Sequence, residues 1–495
     1  MRLYLVSPTH YLRENGAQRG LVKTTQYWTS GLTLPTLKAL TPPDWEVRLT
    51  DELIDDIDLD WPCDVVGIGA MGPQIARAYD LADAFRARGR KVVLGGTWVS
   101  IAPHEASLAH ADAIVVGEAE RVWQSCLADL AAGRSAGIYR SDDWASADEI
   151  PLTDPQDLQL VRWDRFHSSA LYRQYFHWPV VFSRGCPKPC SYCAVQTFYR
   201  RGYRTKSPEH VLEDIRRIRT VGGRKILFLD DNPIADPDAA KELFRRLIPE
   251  RINWTSQCTI EIARDPELLD LAARSGCVSL SIGLESIDHG VLKRVKKGFN
   301  HPDRYAEDLG ALRARGIQVI ALIMVGLDGQ TTSVFPDTLE FLRANKVSLV
   351  KFFTPAPYPG TEFYAQLKRD GRLRDEDWSH YDYASILVDP ADMDEVQLRR
   401  GFDDAYREFY SLGSIASRMW PPPPRNWLEH AGYVVANLKS QAEGHAAATI
   451  AEMRAGMASL VGYFETLEFP PDVKQEPILA AGVPAFWFTP SAAPA

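Results

Sequence analysis

The run Arg184-Gly185-Cys186-Pro187-Lys188-Pro189-Cys190-Ser191-Tyr192-Cys193 decides how this chain is read. Three cysteines, separated by three residues and then two, can wrap one soft metal centre in thiolates. An iron–sulfur cube normally takes four. Cys258 and Cys277 lie downstream in apolar, strand-like sequence and read as small core residues; Cys63 and Cys126 lie far upstream. The spacing therefore points to a [4Fe-4S] cube held by Cys186, Cys190 and Cys193, with one iron left open. A structural zinc site is the alternative; it needs a fourth Cys or His at short spacing, and the nearest downstream candidate is His210. Seven cysteines in 495 residues are too few for a disulfide scaffold.

Working outward, length implies two or three domains. A hydrophobic content of 45% and a charged content of 24% describe an ordinary folded protein. The net charge of -9 argues against a general nucleic-acid binder, although Arg200, Arg201 and Arg204 form a local basic patch. No apolar stretch reaches the length of a membrane span. The first residues are too quickly polar for a secretory signal and read as a core strand, so a cytoplasmic protein is expected.

Residues 1–135 alternate short apolar runs with helical patterns, the mark of a parallel sheet with crossover helices. Strands are expected at 3–6, 45–49, 64–68, 91–94 and 113–116, with an amphipathic helix at 76–88. Gly67, Gly69, Gly72, Gly95, Gly96 and Gly117 follow successive strands, where backbone can approach a ligand at the sheet's carboxyl edge. The first strand's turn is Ser7-Pro8-Thr9-His10, which is no dinucleotide fingerprint. After a linker at 136–178, a second α/β run has strands at 180–183, 225–229, 253–257, 278–282, 318–324 and 348–352, with helices at 208–219, 238–247 and 302–315. That periodicity fits a partial (β/α)6 barrel over 179–385, with chemistry at the carboxyl ends of its strands. Residues 386–495 read as a mainly helical extension, with helices at 394–410, 412–419 and 427–438, a proline break at 421–424 and an Ala/Gly/Pro-rich tail. Aromatics at the end of the barrel stretch and in the extension (Trp378, Tyr381, Tyr383, Phe402, Tyr406, Phe409 and Tyr410) read mostly as packing, with one or two at a cavity.

The cysteine motif resembles the CxxxCxxC signature of the radical S-adenosylmethionine (SAM) enzymes. Residues 1–135 resemble the Rossmann-like cobalamin-binding domain attached to one class of them, and the C-terminal region resembles the extension of hopanoid-methylase-like relatives. The resemblance implies that the open iron is chelated by SAM, which one electron splits into methionine and a 5'-deoxyadenosyl radical. It also implies roles for individual residues. Tyr192 matches the aromatic near the adenine, and Asp230-Asp231-Asn232 the segment that meets the methionine amine, with an acidic pair in place of the family's Gly-Gly-Glu. Ser281 and Gly283-Leu284-Glu285-Ser286 match the segment near ribose and carboxylate, followed by Lys293, Lys296 and Lys297, which read mostly as solvent-facing. Val325, in Met324-Val325-Gly326-Leu327, would line the adenine. The loop 354–361 would border the substrate.

For cobalamin, the resemblance implicates Gly69 and Gly72, then Gly95-Gly96-Thr97-Trp98, then Gly117-Glu118. The cobalt-ligating His of other cobalamin proteins is missing, as it is in many relatives of this class. With cobalamin, the implied function is C-methylation of an unactivated carbon in a small-molecule natural product or lipid, fed by an external one-electron reductant such as flavodoxin or ferredoxin. The alternatives are a radical cyclisation, a rearrangement or transfer of another SAM fragment beside an empty cobalamin domain, or a non-enzymatic iron–sulfur carrier.

Overall fold

The computed structural model describes residues 1–14, 17–23, 29, 31–134, 137–158, 176–374, 377–381, 385–419, 473–480 and 483–490. The first sheet contains β1 (Arg2–Ser7), β2 (Glu46–Asp51), β3 (Val65–Gly69), β4 (Lys91–Gly95), β5 (Ala113–Val116) and β6 (Ile138–Arg140), ordered β2-β1-β3-β4-β5-β6 and parallel throughout. The five expected strands are present. β6 is additional: it pairs with β5 inside the stretch read as linker, whose polar composition hid a three-residue edge strand. Order reverses between β1 and β3, so their carboxyl ends form the crevice where open α/β sheets take ligands. Strands buried on both faces need continuous apolar runs, and Leu3, Tyr4, Leu5 and Val6 are all fully buried. The helix Ile75–Arg86 packs Ile75, Ala78, Leu81, Ala82 and Phe85 onto one side.

The second sheet is an open half-barrel of β7 (Trp178–Val180), β8 (Lys225–Phe228), β9 (Asn253–Cys258), β10 (Cys277–Glu285), β11 (Gln318–Met324) and β12 (Leu349–Phe353), paired in chain order and all parallel. Three of its crossover helices open on a capping side chain followed by proline: Ser207-Pro208, Asp236-Pro237 and Asp265-Pro266. The cap accepts an orphan N–H, and proline occupies a first-turn position that needs none. Alternate residues of the strands, Leu280, Ile282 and Leu284 among them, pack outward with Val350 and Phe352 into one large core beneath the helices. Cys258 and Cys277 belong to that core, as expected.

The first barrel strand departs from expectation. It ends at Val180, and Ser183–Gly185 leaves the sheet to pair antiparallel with Tyr203–Thr205, making a ribbon that carries the cysteines. Past β12, the helices Glu395–Phe409 and Leu412–Met419 form as expected. Tyr406 Oη bonds the N–H (3.0 Å) and C=O (3.2 Å) of Phe352, and Tyr410 Oη those of Val350 (3.2 and 2.8 Å). These hydroxyls seal the free edge of the half-barrel, a row of backbone groups that would otherwise invite another strand. The packing reading thus holds for Phe402, Tyr406, Phe409 and Tyr410, while Tyr383 and the 427–438 helix lie outside the described residues. An antiparallel pair, 473–480 with 483–490, occurs where the sequence was read as tail. No helix among the described residues is long and apolar enough to cross a membrane.

Candidate active site

The three cysteines follow the ribbon on one loop above the barrel's carboxyl end. Cys190 is buried; Cys186 and Cys193 are half-buried. The loop is pinned along its length. The N–H of Ser191 bonds the Val295 carbonyl (3.1 Å), its carbonyl accepts from Phe363 N–H (3.1 Å), and Gln196 Nε2 donates to the Cys186 carbonyl (3.0 Å). Asn232 Nδ2 points at Cys186 Sγ from 3.9 Å. Burial raises all three thiols, Cys193 to about 12, with Lys297 partly offsetting the rise at Cys190. Three thiols on one braced loop, with an amide N–H aimed at one sulfur, form a donor set suited to a thiolate-held cluster. His210, the alternative zinc ligand, stands instead in the first turn of Pro208–Thr220 beside Asp148.

Asp230 is fully enclosed and already satisfied. Its carboxylate accepts from the N–H of Phe182 (3.1 Å), from Ser183 N–H and from Ser183 Oγ (2.5 Å). It braces the start of the ribbon. Asp231 accepts from Gly185 N–H at 3.1 Å, and Asn232 Oδ1 from Thr259 N–H at 3.4 Å. Burial pushes Asp230 up to about 7 and Asp231 up to about 6. Of the three residues expected near the methionine amine, Asp231 keeps the most acceptor capacity.

Across the mouth, Tyr192 Oη donates to Glu285 Oε1 (3.0 Å), which also takes Lys297 Nζ (2.9 Å). Lys297 is buried rather than solvent-facing. The helix His289–Arg294 ends, Lys296 takes a positive φ of 56°, and the next side chain turns inward. Burial works against the Lys297 ammonium, but Glu285 and Cys190 outweigh it and raise its pKa. Glu285 has φ +63° at a bulge in β10, and a Cβ on Gly283 would lie 2.6 Å from Glu285 Oε1 and 2.7 Å from Lys297 Nζ. Any side chain there would push the pair from its present position. Ser281, two residues before, is half-buried on the same concave face. Val325 directly follows β11, but its side chain is fully buried in the outer core, whereas Met324 packs with Tyr192 and Phe353. One step along a strand reverses the face.

The glycine edge of the first sheet has two kinds of residue. Gly96 (φ +99°) passes so close to Ala70 that a Cβ would sit 2.6 Å from its carbonyl oxygen, and Gly117 (φ +83°) donates its N–H to Ser100 Oγ at 2.9 Å. Gly69 and Gly95 end β3 and β4, Gly72 lies under the Trp98 ring, and Thr97 opens a short helix. Trp98 is buried among Tyr358, Trp378 and Tyr381, with no partner for its Nε1 among the described residues. Glu118 faces the barrel: Arg184 Nη1 meets Glu118 at 2.7 Å and Glu120 at 2.8 Å, and Arg204 also pairs with Glu118. Burial opposes the charge of Arg184, but Glu120 and Glu118 outweigh it and raise its pKa. This latch bolts the cysteine ribbon to the first sheet. Nothing local in the sequence announces it, since its partners lie 66 and 86 residues apart. Beside it Gly117 and Glu118 line a cavity of about 60 Å³ with Thr197 and Phe198.

Residues 180–342 match the family model of the radical SAM superfamily. The chain is a radical SAM enzyme. Its similarity to bacteriochlorophyllide d C-12(1)-methyltransferase of Chlorobaculum tepidum is 28% identity over 80% of this chain and 86% of that one. It is 25% identical to the hopanoid C-2 methylase of Rhodopseudomonas palustris, over 70% of this chain and 65% of the other. Among solved structures, the cobalamin-dependent radical SAM enzyme OxsB, with aqua-cobalamin and SAM bound, shares its fold over 89% of this chain and 71% of its own, at 14% identity and a TM-score of 0.62. A radical SAM enzyme needs a [4Fe-4S] cluster and SAM, and the cysteine loop is the candidate for holding that cluster.

Proposed function

We propose that this radical SAM enzyme is a cobalamin-dependent C-methyltransferase acting on an unactivated carbon of an apolar small molecule or lipid. The observation that carries the reading is the latch. Arg184, next but one to Cys186, and Arg204 are held by Glu118 and Glu120 from the glycine edge. Methyl transfer to a carbon radical needs substrate between two cofactors, and a fixed orientation of cysteine loop to glycine edge supplies that proximity. The rim chemistry fits a corrin with amide side arms. Trp98 Nε1 is a buried donor and Glu118 Oε2 a buried acceptor, both without partners among the described residues, and the glycine backbone lets a ligand approach. The small cavity beside Glu118 suits one side arm rather than a macrocycle.

Bound cofactors would supply an electron and SAM cleavage at the cluster and a transferable methyl group at cobalt. The chain's own residues then have separable tasks. Asp231 accepts from an ammonium, the Glu285–Lys297 pair and Tyr192 fix the mouth, and Asp230 holds the ribbon in register. Cytoplasmic location and a flavodoxin or ferredoxin as reductant accompany this reading. The test is anaerobic turnover of reconstituted protein with SAM, cobalamin and reductant. S-adenosylhomocysteine and 5'-deoxyadenosine appearing together are expected. 5'-Deoxyadenosine alone would replace methylation with another radical reaction, and methylthioadenosine would point to transfer of a different SAM fragment.

A further inference from the structure

Along the concave face of the half-barrel stand Leu229, Gln257, Ser281, Ile320 and Leu322, and beside Leu322 a cation, Lys351. Lys351 is level with Leu322 on β11, which is level with Gly283 on β10. It stands between two apolar patches: Phe353 and Met324 with Tyr192 above, Leu349 and Ile320 with Ile415 below. Among the described residues it makes no hydrogen bond or ion pair, and its side chain is open to the lumen. Burial lowers its pKa with no charged group contributing. An unpaired ammonium set between two apolar patches on the concave face is placed to meet an anionic group of a ligand that enters the lumen.

We propose that Lys351 anchors a carboxylate of the substrate, so that the substrate is an acid with an apolar body. The assignment rests on the methyltransferase reading and narrows it: a neutral polycyclic lipid would leave Lys351 unanswered. SAM also has a carboxylate, but the family's SAM chelates the open iron at the cysteine loop. Lys351 lies two residues below Phe353, roughly 6–7 Å further down the strand.

The experiment is a labelling footprint on anaerobically reconstituted, full-length protein. Acetic anhydride reacts with neutral amines, so a lysine of lowered pKa labels early, and mass spectrometry reads Lys351 directly. The probes are SAM, chlorophyllide a (a free carboxylate on an apolar macrocycle, the compound class of the Chlorobaculum relative) and the methyl ester of the same chlorin. At least ten-fold slower labelling with the acid, and less than two-fold change with the ester or SAM, is expected. Lys351→Met should weaken binding of the acid ten-fold or more without weakening the ester, and Lys351→Arg should restore most of it. Protection by SAM, by acid and ester alike, or by neither chlorin would overturn the assignment, as would a Lys351 that does not label at all. If Lys351→Met fails to fold, the footprint on the unaltered protein still decides. SAM cleavage by that same unaltered protein without substrate reports the radical reading independently, so the two ideas fail separately.

Discussion

Arg184→Met tests the latch. Glu118 would keep Arg204, but Glu120 has no other ion pair among the described residues, and its side chain is only 5% exposed. Removing one partner of a buried pair typically costs about 3–5 kcal/mol. The stranded Glu120 carboxylate sets that deficit, and replacing it by a neutral amide should recover most of it. At roughly 2–4 °C per kcal/mol for a unit of 150–250 residues, a 3 kcal/mol loss lowers the thermal midpoint by about 6–12 °C. The assay is thermal unfolding of wild type and variant, with Arg184→Met/Glu120→Gln as the control that removes the stranded charge. The same samples are scored for 5'-deoxyadenosine formed per methyl transferred, which should rise as the two halves lose their alignment. An unchanged thermal midpoint, or a double variant no better than the single, would refute the argument.

Gly283→Ala puts a Cβ within 2.7 Å of both members of the Glu285–Lys297 pair; SAM affinity, measured by equilibrium dialysis, should fall at least ten-fold while iron and sulfide content stays near wild type. Tyr406→Phe and Tyr410→Phe each remove bonds to the β12 edge, at about 1 kcal/mol apiece; the double variant should lower the urea midpoint and enhance concentration-dependent association, read by light scattering.

Much of this architecture was legible because parallel strands covered on both faces leave continuous apolar runs, as at Leu3–Val6 and Gln318–Met324. The cluster loop was legible because thiol spacing is a local property. What escaped was set by contacts between distant residues. Asp230 read as a ligand because an acid at a strand's end looks like one; its three donors come from a segment 47–48 residues earlier. Lys297 read as surface because it follows two other lysines, and only the left-handed turn at Lys296 sends it inward. Val325 was displaced by one step of strand parity. Lys351 did carry a signal: a single charge inside Leu349–Phe353, a strand otherwise apolar.

Several of the chain's buried ionic groups gather around the cysteine loop. The latch fixes the ribbon before Cys186, Asp230 and Asp231 hold its backbone, and Tyr192, Glu285 and Lys297 close over the loop's far end. Each arrangement costs desolvation, and apolar replacements would often stabilise a fold as well or better. Their concentration here is therefore better explained by positioning than by stability. A loop so constrained keeps its thiols buried and protonated, so assembling a thiolate-held cluster must release protons as the metal enters. Loading should accordingly quicken as pH rises, until the rigid loop rather than the thiol proton limits the rate.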